Sequence, residues 1–327
     1  MSVVVTGGAG YIGSTVTSAL ADHGISPVVL DDLSRGPVEF TKGRDFYLGD
    51  IADPAIWDAI FAKHEVTAVI HCAGRIDVVE SVLDPLGYYE TNVAKTTTML
   101  THLCARGVDR VVFSSSASVY GDATAAEEST SLAPASPYAR TKATVEQILA
   151  DVGEQIRSIS LRYFNPIGAD PALRTGQYDP NPTHVLGRLL GAARDGKPFH
   201  VFGTDWPTRD GSTIRDFIHV WDLALAHVAA IDRFDQVTAD ERVQVINVAT
   251  GVGTTVLELA SAVREAIGFD IEVIPADRRD GDVVGAYASC QKAANLLGWT
   301  AGRSVVEGVK DALSWAEQAR RLGIAIR

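Results

Sequence analysis

The chain has little of what marks a secreted, membrane-bound or nucleic-acid-binding protein. It carries three cysteines in 327 residues, Cys72, Cys104 and Cys290, an odd number, widely spaced and without any C-x-x-C pair. That argues against a disulfide framework and a structural zinc, and leaves three reduced thiols expected to be mostly buried. Basic residues are outnumbered: 29 Lys and Arg against 41 Asp and Glu give a formal net charge of −12. Such a balance argues against a nucleic-acid or anionic-membrane partner, so an anionic ligand needs arginines placed locally. No run approaches the roughly 18 apolar residues of a membrane span. The first residues lead into a strand pattern without a signal-peptide profile, and the expected location is the cytoplasm. The chain has no internal repeat and no low-complexity tract. Its length suits one large α/β domain with a smaller second one.

What is present begins at Gly7-Gly8-Ala9-Gly10-Tyr11-Ile12-Gly13, after the apolar run Val3-Val4-Val5-Thr6 and at the head of a helical pattern. Gly7, Gly10 and Gly13 permit a tight strand-to-helix turn and let backbone N–H groups approach a pyrophosphate at the helix N-terminus. Asp31-Asp32 closes the next apolar run, about twenty residues on, where a carboxylate meets the ribose hydroxyls. Asp31 favours NAD over NADP, because it repels a 2′-phosphate. Strand-like runs at 3–6, 27–31, 45–47, 68–72, 110–114 and 159–163 alternate with helical patterns such as 11–23 and 54–64. This alternation predicts a doubly wound, mostly parallel sheet of the Rossmann type with helices on both faces. After Asn165, prolines and glycines mark loops, and a D-G turn follows at Asp210-Gly211. A helix over 221–234 and a strand over 243–248 are expected to return to the first sheet. The expected division is therefore an NAD-binding domain over 1–165, joined by 216–250, and a smaller α+β substrate-binding part from 166–215 and 251–327.

Chemistry is carried by two further stretches. In Ser136-Pro137-Tyr138-Ala139-Arg140-Thr141-Lys142, Ser136 is a natural N-cap and Pro137 a natural first helical residue. Tyr138 then lies in the first turn, with Lys142 one turn later on the same face. A free tyrosine, with a pKa of about 10, is too weak an acid to serve as a base at neutral pH. A lysine ammonium, the positive helix end and an oxidised nicotinamide would each lower that value. The spacing alone reads equally as an ordinary helix with an exposed lysine and a half-buried tyrosine. Ser114-Ser115-Ser116-Ala117-Ser118 tips the balance, because it sits at the end of the fifth strand run, where open α/β sheets bind ligands and a hydroxyl can relay a proton. No G-x-S-x-G accompanies it, so a serine nucleophile is disfavoured. His184, His219 and His227 have no metal-ligand spacing and read as structural; no metal is expected.

With these motifs the chain resembles the extended short-chain dehydrogenase/reductase superfamily and, within it, the UDP-glucose/UDP-galactose 4-epimerase family. The resemblance spans essentially the whole chain through the glycine loop, Gly49-Asp50-Ile51, Val69-Ile70-His71-Cys72-Ala73-Gly74, Val79-Glu80-Ser81, the serine segment, Ser136-Pro137-Tyr138 with Lys142, Leu161-Arg162-Tyr163-Phe164-Asn165-Pro166, Ile214-Arg215-Asp216-Phe217-Ile218-His219-Val220 and Arg278-Arg279-Asp280-Gly281-Asp282. It implies Tyr138 as the base, Lys142 as its electrostatic and ribose-binding partner, and Ser116 as the hydroxyl between Tyr138 and the sugar. On the cofactor side it implies Asp50 and Ile51 at the adenine, Ala73 and Gly74 along the pyrophosphate and nicotinamide, and Tyr11, Ile12, Asp32, Asn92 and Tyr163 in support. For the substrate it implies Asn165, Ser118 and Val185, Phe202 on the uracil, Arg215 and Arg279 as a diphosphate clamp, and Asp282 on the uridine ribose. The helical pattern around Tyr88, Tyr89, Val93 and Leu100, with the helix carrying Tyr138, resembles the family's dimer-forming pair, although packing on the sheet explains it equally well.

The expected activity is NAD-dependent 4-epimerisation of a UDP-hexose through a transient 4-keto sugar, with NAD retained. Two departures from the family pattern matter. Many relatives place a lysine where this chain has Ile76, and Arg75 is the available substitute. Ala286, small, falls where relatives bound the C2 substituent of the sugar, which extends the expectation to N-acetylated hexoses; Tyr287 is adjacent. A 4,6-dehydratase is disfavoured because Ala117-Ser118 supplies no acidic pair. A pentose or uronic-acid epimerase, a net dehydrogenase or reductase, and a non-catalytic dinucleotide sensor are the alternatives.

Overall fold

Val, Ile and Leu dominate the early apolar runs, and β-branched side chains suit strands buried on both faces. The computed structural model describes residues 2–179, 182, 184–278 and 283–324. Its first part contains β1 (Ser2–Thr6), α1 (Tyr11–Asp22), β2 (Ser26–Asp31), β3 (Asp45–Leu48), α2 (Pro54–Lys63), β4 (Val66–His71), α3 (Val78–Leu83), α4 (Pro85–Tyr89), α5 (Lys95–Ala105), β5 (Arg110–Ser114), β6 (Ala125–Ala126), α6 (Pro137–Asp151) and β7 (Arg157–Tyr163). It continues with β8 (Asn165–Ile167), α7 (Val185–Asp195), β9 (Phe199–Phe202), β10 (Ile214–Arg215), β11 (Phe217–His219), α8 (Val220–Asp232), α9 (Phe234–Val237), β12 (Val243–Val248), β13 (Thr254–Thr255), α10 (Val256–Ile267), β14 (Val273–Ala276), β15 (Gly285–Ala288) and α11 (Val305–Arg321).

Seven strands form one parallel sheet in the order β12-β7-β5-β4-β1-β2-β3. The order reverses between β1 and β4, which opens a crevice beyond their carboxyl ends. Residues 243–248 supply the edge strand beyond β7, and α8 packs with α1 on one face of the sheet, burying Trp221, Leu223, Val228 and Ile246. The other face is covered by α2, α5 and α6 around Trp57, Met99, Leu103, Val145 and Leu149. A third core, with Leu189, Phe217, Leu259, Val263 and Val309, joins α7, α10 and α11 to the short strands β8, β9 and β11.

The structure alters several expectations. The helix expected through residue 234 ends at Asp232 and resumes as α9, because Arg233 leaves the helical backbone region (φ −103°, ψ 10°). Pro166 sits inside β8, paired in parallel with Ile218, rather than in a loop. The thiols are free but not mostly buried: Cys104 is exposed, and Cys72 and Cys290 are half-buried. Of the pattern read equally as a partner face or as packing on the sheet, Tyr88 and Leu100 are packed inside, Tyr88 with no exposed surface at all. The apolar residues that face outward in this region include Val78, Val79, Val82, Leu83, Leu86 and, from that pattern, Tyr89, with Leu83 and Leu86 more than three-quarters exposed (80% and 81%). Among the described residues, no helix is long and apolar enough to cross a membrane.

Candidate active site

The glycine loop fits a dinucleotide because Gly7 and Gly13 have no room for a side chain. Gly7 has φ +68°, and a Cβ there would lie 2.6 Å from the Ala73 backbone nitrogen. A Cβ on Gly13 would lie 2.2 Å from the Gly7 carbonyl oxygen, while Gly10 is the N-cap of α1 and has no side chain to fill the helix end. Asp31 is buried at the tip of β2, where its Oδ2 accepts from the Ala9 N–H (2.9 Å) and its Oδ1 from the Leu33 N–H (2.8 Å). Burial pushes its carboxyl pKa up, against the pull of those two N–H groups. Asp31 thus fastens the glycine loop to β2 in addition to facing the crevice mouth. Asp32 accepts the Ser34 N–H in a turn (2.9 Å).

Tyr11 and Ile12 open α1; the Tyr11 hydroxyl donates to the Gly168 carbonyl (2.7 Å), tying the loop to the chain beyond β8. Asp50 pairs with Lys95, which lowers its pKa against the desolvation that raises it. Beside it, Ile51 is buried, its carbonyl accepting from the Trp57 indole (2.8 Å). Asn92 lies in a π-helical turn between α4 and α5. Its side chain grips both the N–H (2.8 Å) and the carbonyl (2.9 Å) of Arg75 and reaches Thr141 on α6 (3.1 Å). Arg75 does not stand in for the missing lysine. Its guanidinium turns to Asp84 (2.6 Å) and Glu80 (2.8 Å) and lies over the Tyr88 ring.

At the head of α6, Ser136 accepts from the Ala139 N–H (3.1 Å), with Pro137 as the first helical residue. Tyr138 and Lys142 share a face, the Lys142 Nζ lying 6.0 Å from the Tyr138 ring centre. Lys142 is buried: its Nζ donates to the Ser114 carbonyl (2.7 Å) and lies over the Phe113 ring (4.8 Å). Loss of hydration brings its pKa down to about 8. Tyr138 runs against the expectation of a lowered value, since burial raises its pKa and the hydrogen bond from Ser116 only partly offsets this. Ser116 also accepts from the N–H (3.2 Å) and hydroxyl (2.9 Å) of Ser118. Behind them, Cys72 and His227 both contact the Ser114 hydroxyl (3.1 Å each), and His227 Nδ1 meets the Leu223 carbonyl (2.9 Å). A carbonyl only accepts, so Nδ1 carries the proton and Ser114 donates to Nε2. Burial holds the His227 pKa at about 4 and pushes the Cys72 thiol up to about 11. Tyr163, at the end of β7, is buried beside this cluster, 6.3 Å from His227 ring to ring.

The substrate-side residues come from β8, α7, β9, β10 and β15. Asn165 begins β8, Val185 begins α7, and Phe202 ends β9 half-buried. Arg215 is aligned with Ala286 across the parallel β10–β15 pair, its NH1 donating to the Ile214 carbonyl (2.7 Å). Arg279 and Asp282 lie outside the described residues. His184 and His219 cap α7 and α8 by accepting from Gly187 and Trp221 N–H groups. No group of three His, Cys, Asp or Glu among the described residues is arranged to hold a metal.

Sequence reasoning missed three buried charges around this site. Asp216 accepts from the N–H (2.9 Å) and hydroxyl (2.7 Å) of Thr250 and from the Gly251 N–H (3.3 Å). Glu146 and Arg162 form a buried ion pair behind the serine segment. The available signal was a charge inside an apolar strand pattern, Arg162, and a carboxylate one turn after Lys142; a buried charge needs a partner.

A dinucleotide cradle, a tyrosine and lysine on a capped helix and a serine hydroxyl at a strand end define a class. The chain belongs to the NAD-dependent epimerase/dehydratase family, whose model matches residues 3–249. It is 41% identical to the UDP-glucose 4-epimerase of Rhizobium meliloti (strain 1021) over 98% of this chain and 99% of that one. Its fold matches the UDP-glucose 4-epimerase of Stenotrophomonas maltophila, solved with NAD and formylated UDP-arabinopyranose, with a TM-score of 0.91 at 34% identity, covering 98% and 99% of the two chains. A UDP-Glc/GlcNAc 4-epimerase from Campylobacter jejuni matches with a TM-score of 0.83 at 33% identity, covering 97% and 99%.

Proposed function

We propose that the protein interconverts UDP-glucose and UDP-galactose at C4 through a 4-keto sugar, with NAD retained throughout. The observation that carries this reading is Tyr138 and the buried Lys142 ammonium on one face of α6, with the Lys142 Nζ fixed to the Ser114 carbonyl beside Ser116, near a glycine loop with little room for side chains. Gly7, Gly10, Gly13 and Asp31 would hold the dinucleotide, with Asp50, Ile51, Ala73, Gly74 and Asn92 along its length. NAD, when bound, supplies the hydride acceptor and donor at C4. Tyr138 takes the C4 hydroxyl proton with Ser116 as relay, and returns it once the keto sugar has turned over. The Lys142 ammonium, held by the Ser114 carbonyl, stabilises the phenolate. Arg215, with Arg279, would hold the diphosphate, Phe202 the uracil, Asp282 the ribose, and Asn165, Ser118 and Val185 the walls, so that UDP is fixed while the hexose turns.

The small Ala286 supports acceptance of UDP-N-acetylhexosamines as well. The division of labour follows the fold: residues 1–165 with 216–250 for NAD, residues 166–215 and 251–327 for the UDP-sugar. The exposed apolar face of α3 and α4 supports a homodimer, and the cytoplasm, where NAD and nucleotide sugars meet, fits the acidic chain with its free thiols. The deciding experiment incubates the purified protein with a panel of UDP-sugars without added NAD and reads C4 stereochemistry by proton NMR. Interconversion of the glucose and galactose forms supports the reading; activity only with added, consumable NAD points to a net dehydrogenase and defeats it.

A further inference from the structure

Glu146 and Arg162 are charged, central and unused by the mechanism above. Their side chains are almost wholly inaccessible, 6% and 5% exposed, and meet through two contacts, Arg162 Nε to Glu146 Oε1 (2.9 Å) and NH2 to Oε2 (2.5 Å). Each partner reaches a second element. Glu146 lies on α6, one turn beyond Lys142, and its Oε1 accepts from the Ser115 hydroxyl (2.5 Å). Arg162 lies on β7, and its NH1 donates to the Tyr120 hydroxyl (2.9 Å), which in turn donates to Asn247 at the end of β12 (2.6 Å). Ser115 and Tyr120 bracket the segment that carries Ser116 and Ser118. A ring of contacts therefore runs from that segment to α6, to β7 and back, while Lys142 holds the Ser114 carbonyl on the other side.

A buried ion pair seldom adds stability over apolar side chains of the same size, because desolvating two charges costs about what their attraction returns. Its contribution is better sought in geometry and local potential. We propose that Glu146 and Arg162 are positioning residues for the epimerase site: their pair fixes the Ser116 segment against the face of α6 that carries Tyr138 and Lys142, and the Glu146 carboxylate supports the Lys142 ammonium. This rests on the function proposed above.

The groups surrounding Lys142 bear out the second half. From β4 it faces His71, held neutral with a pKa of about 3, and the Cys72 thiol, at about 11. From α6 it faces Tyr138 and Glu146, and on β7 Tyr163 and Arg162 stand behind them; burial raises both tyrosine pKa values. Burial lowers the Lys142 pKa to about 8, opposed by Cys72 and, after it, by Glu146, which sits one turn along the same helix.

The test compares full-length wild type with Glu146→Gln and with the double variant Glu146→Leu/Arg162→Met, which replaces the pair by apolar groups and keeps the core filled. Titration of Lys142 Nζ followed by NMR requires no substrate, so it judges the inference even if no UDP-sugar is turned over. Glu146→Gln is expected to move the Lys142 midpoint down by about one pH unit, the usual scale for losing a nearby opposite charge, and the double variant, which removes a positive charge as well, by less. In the NAD-loaded protein kcat should fall about tenfold or more from misplacement of the serine segment, with KM little changed and the alkaline limb displaced to lower pH. If Glu146→Gln does not fold, the double variant decides alone. A double variant with wild-type kcat and an unmoved Lys142 midpoint would mean that the pair only fills space, and the inference would be overturned.

Discussion

Tyr138 stands where three structural demands meet: the first turn of a capped helix, a hydrogen bond from Ser116, and a lysine one turn on. In the cofactor-free protein burial dominates and the phenol is a weaker acid than in water. For Tyr138 to serve as the base of the proposed reaction, positive charge must be added at the crevice, and Lys142 is already held in place for it. Tyr138→Phe keeps the ring and removes the acceptor, so turnover should fall by about 10²–10⁴, the usual contribution of a general base. UDP binding, followed by calorimetry, should survive; near-normal turnover would remove Tyr138 from the mechanism. Asp31 carries a heavier load than a ribose contact, since it also fastens Ala9 and Leu33. Asp31→Ala should lower NAD retention, measured as cofactor released on denaturing the purified protein, and should reduce discrimination against NADP. The variant should also melt at lower temperature than wild type, because two buried N–H groups lose their acceptor.

At the scale of elements, the alternation of β15 separates Ala286 from Tyr287. Side chains at i and i+2 share a face of a strand, and Ala288 is buried in the cluster with Ala117, next to Ser116 and Ser118. Ala286 thus shares a face of β15 with Ala288, while Tyr287 lies against Gly253, where a Cβ would meet its ring at 2.9 Å. Ala286→Tyr should accordingly depress epimerisation of UDP-N-acetylhexosamines while sparing the plain hexoses. Overfilling a packed site costs about 1–3 kcal/mol, or about one to two decades in rate. If Tyr287→Ala opens an acetylated activity that wild type lacks, Tyr287 is the gate instead. This register could not be read from residue order alone, because it is set by pairing with β10, seventy residues earlier. By contrast the glycine loop, the capped helix at Ser136 and the strands β1 to β5 and β7 were legible, because strand periodicity and capping are local. Arg75 was not: its choice of Glu80 and Asp84 over the crevice depends on how α3 and α4 fold back. Nor was Glu146, whose partner Arg162 lies across the interior on another element.

For the molecule as a whole, the open question of surface is the apolar face of α3 and α4. Val79, Val82, Leu83 and Leu86 together form an exposed patch of the kind that marks an interface, and these helices pack on α6, which carries Tyr138 and Lys142. Multi-angle light scattering should give twice the chain mass for wild type, and Leu83→Asp/Leu86→Asp should halve it with the fold intact by circular dichroism. A monomeric wild type would rule the dimer out. The sequence left the pattern around Tyr88, Tyr89, Val93 and Leu100 open between a partner face and packing on the sheet; Tyr88 and Leu100 lie inside and Tyr89 outside, a division that helical periodicity alone does not give.

The edge strand β12 carries a consequence for how the protein comes into being. It pairs with β7 along six residues from Val243 to Val248, yet about eighty residues of chain separate the two, and these include α7, α8, α9 and the short strands β8 to β11. On a ribosome, β7 must wait with an unpaired edge until residue 248 has emerged. A bare edge invites strangers, and nascent domains are most vulnerable to aggregation before their last strand arrives. The connectivity that brings the sugar-nucleotide side and the cofactor side together thus sets a window during synthesis in which a chaperone has most to offer.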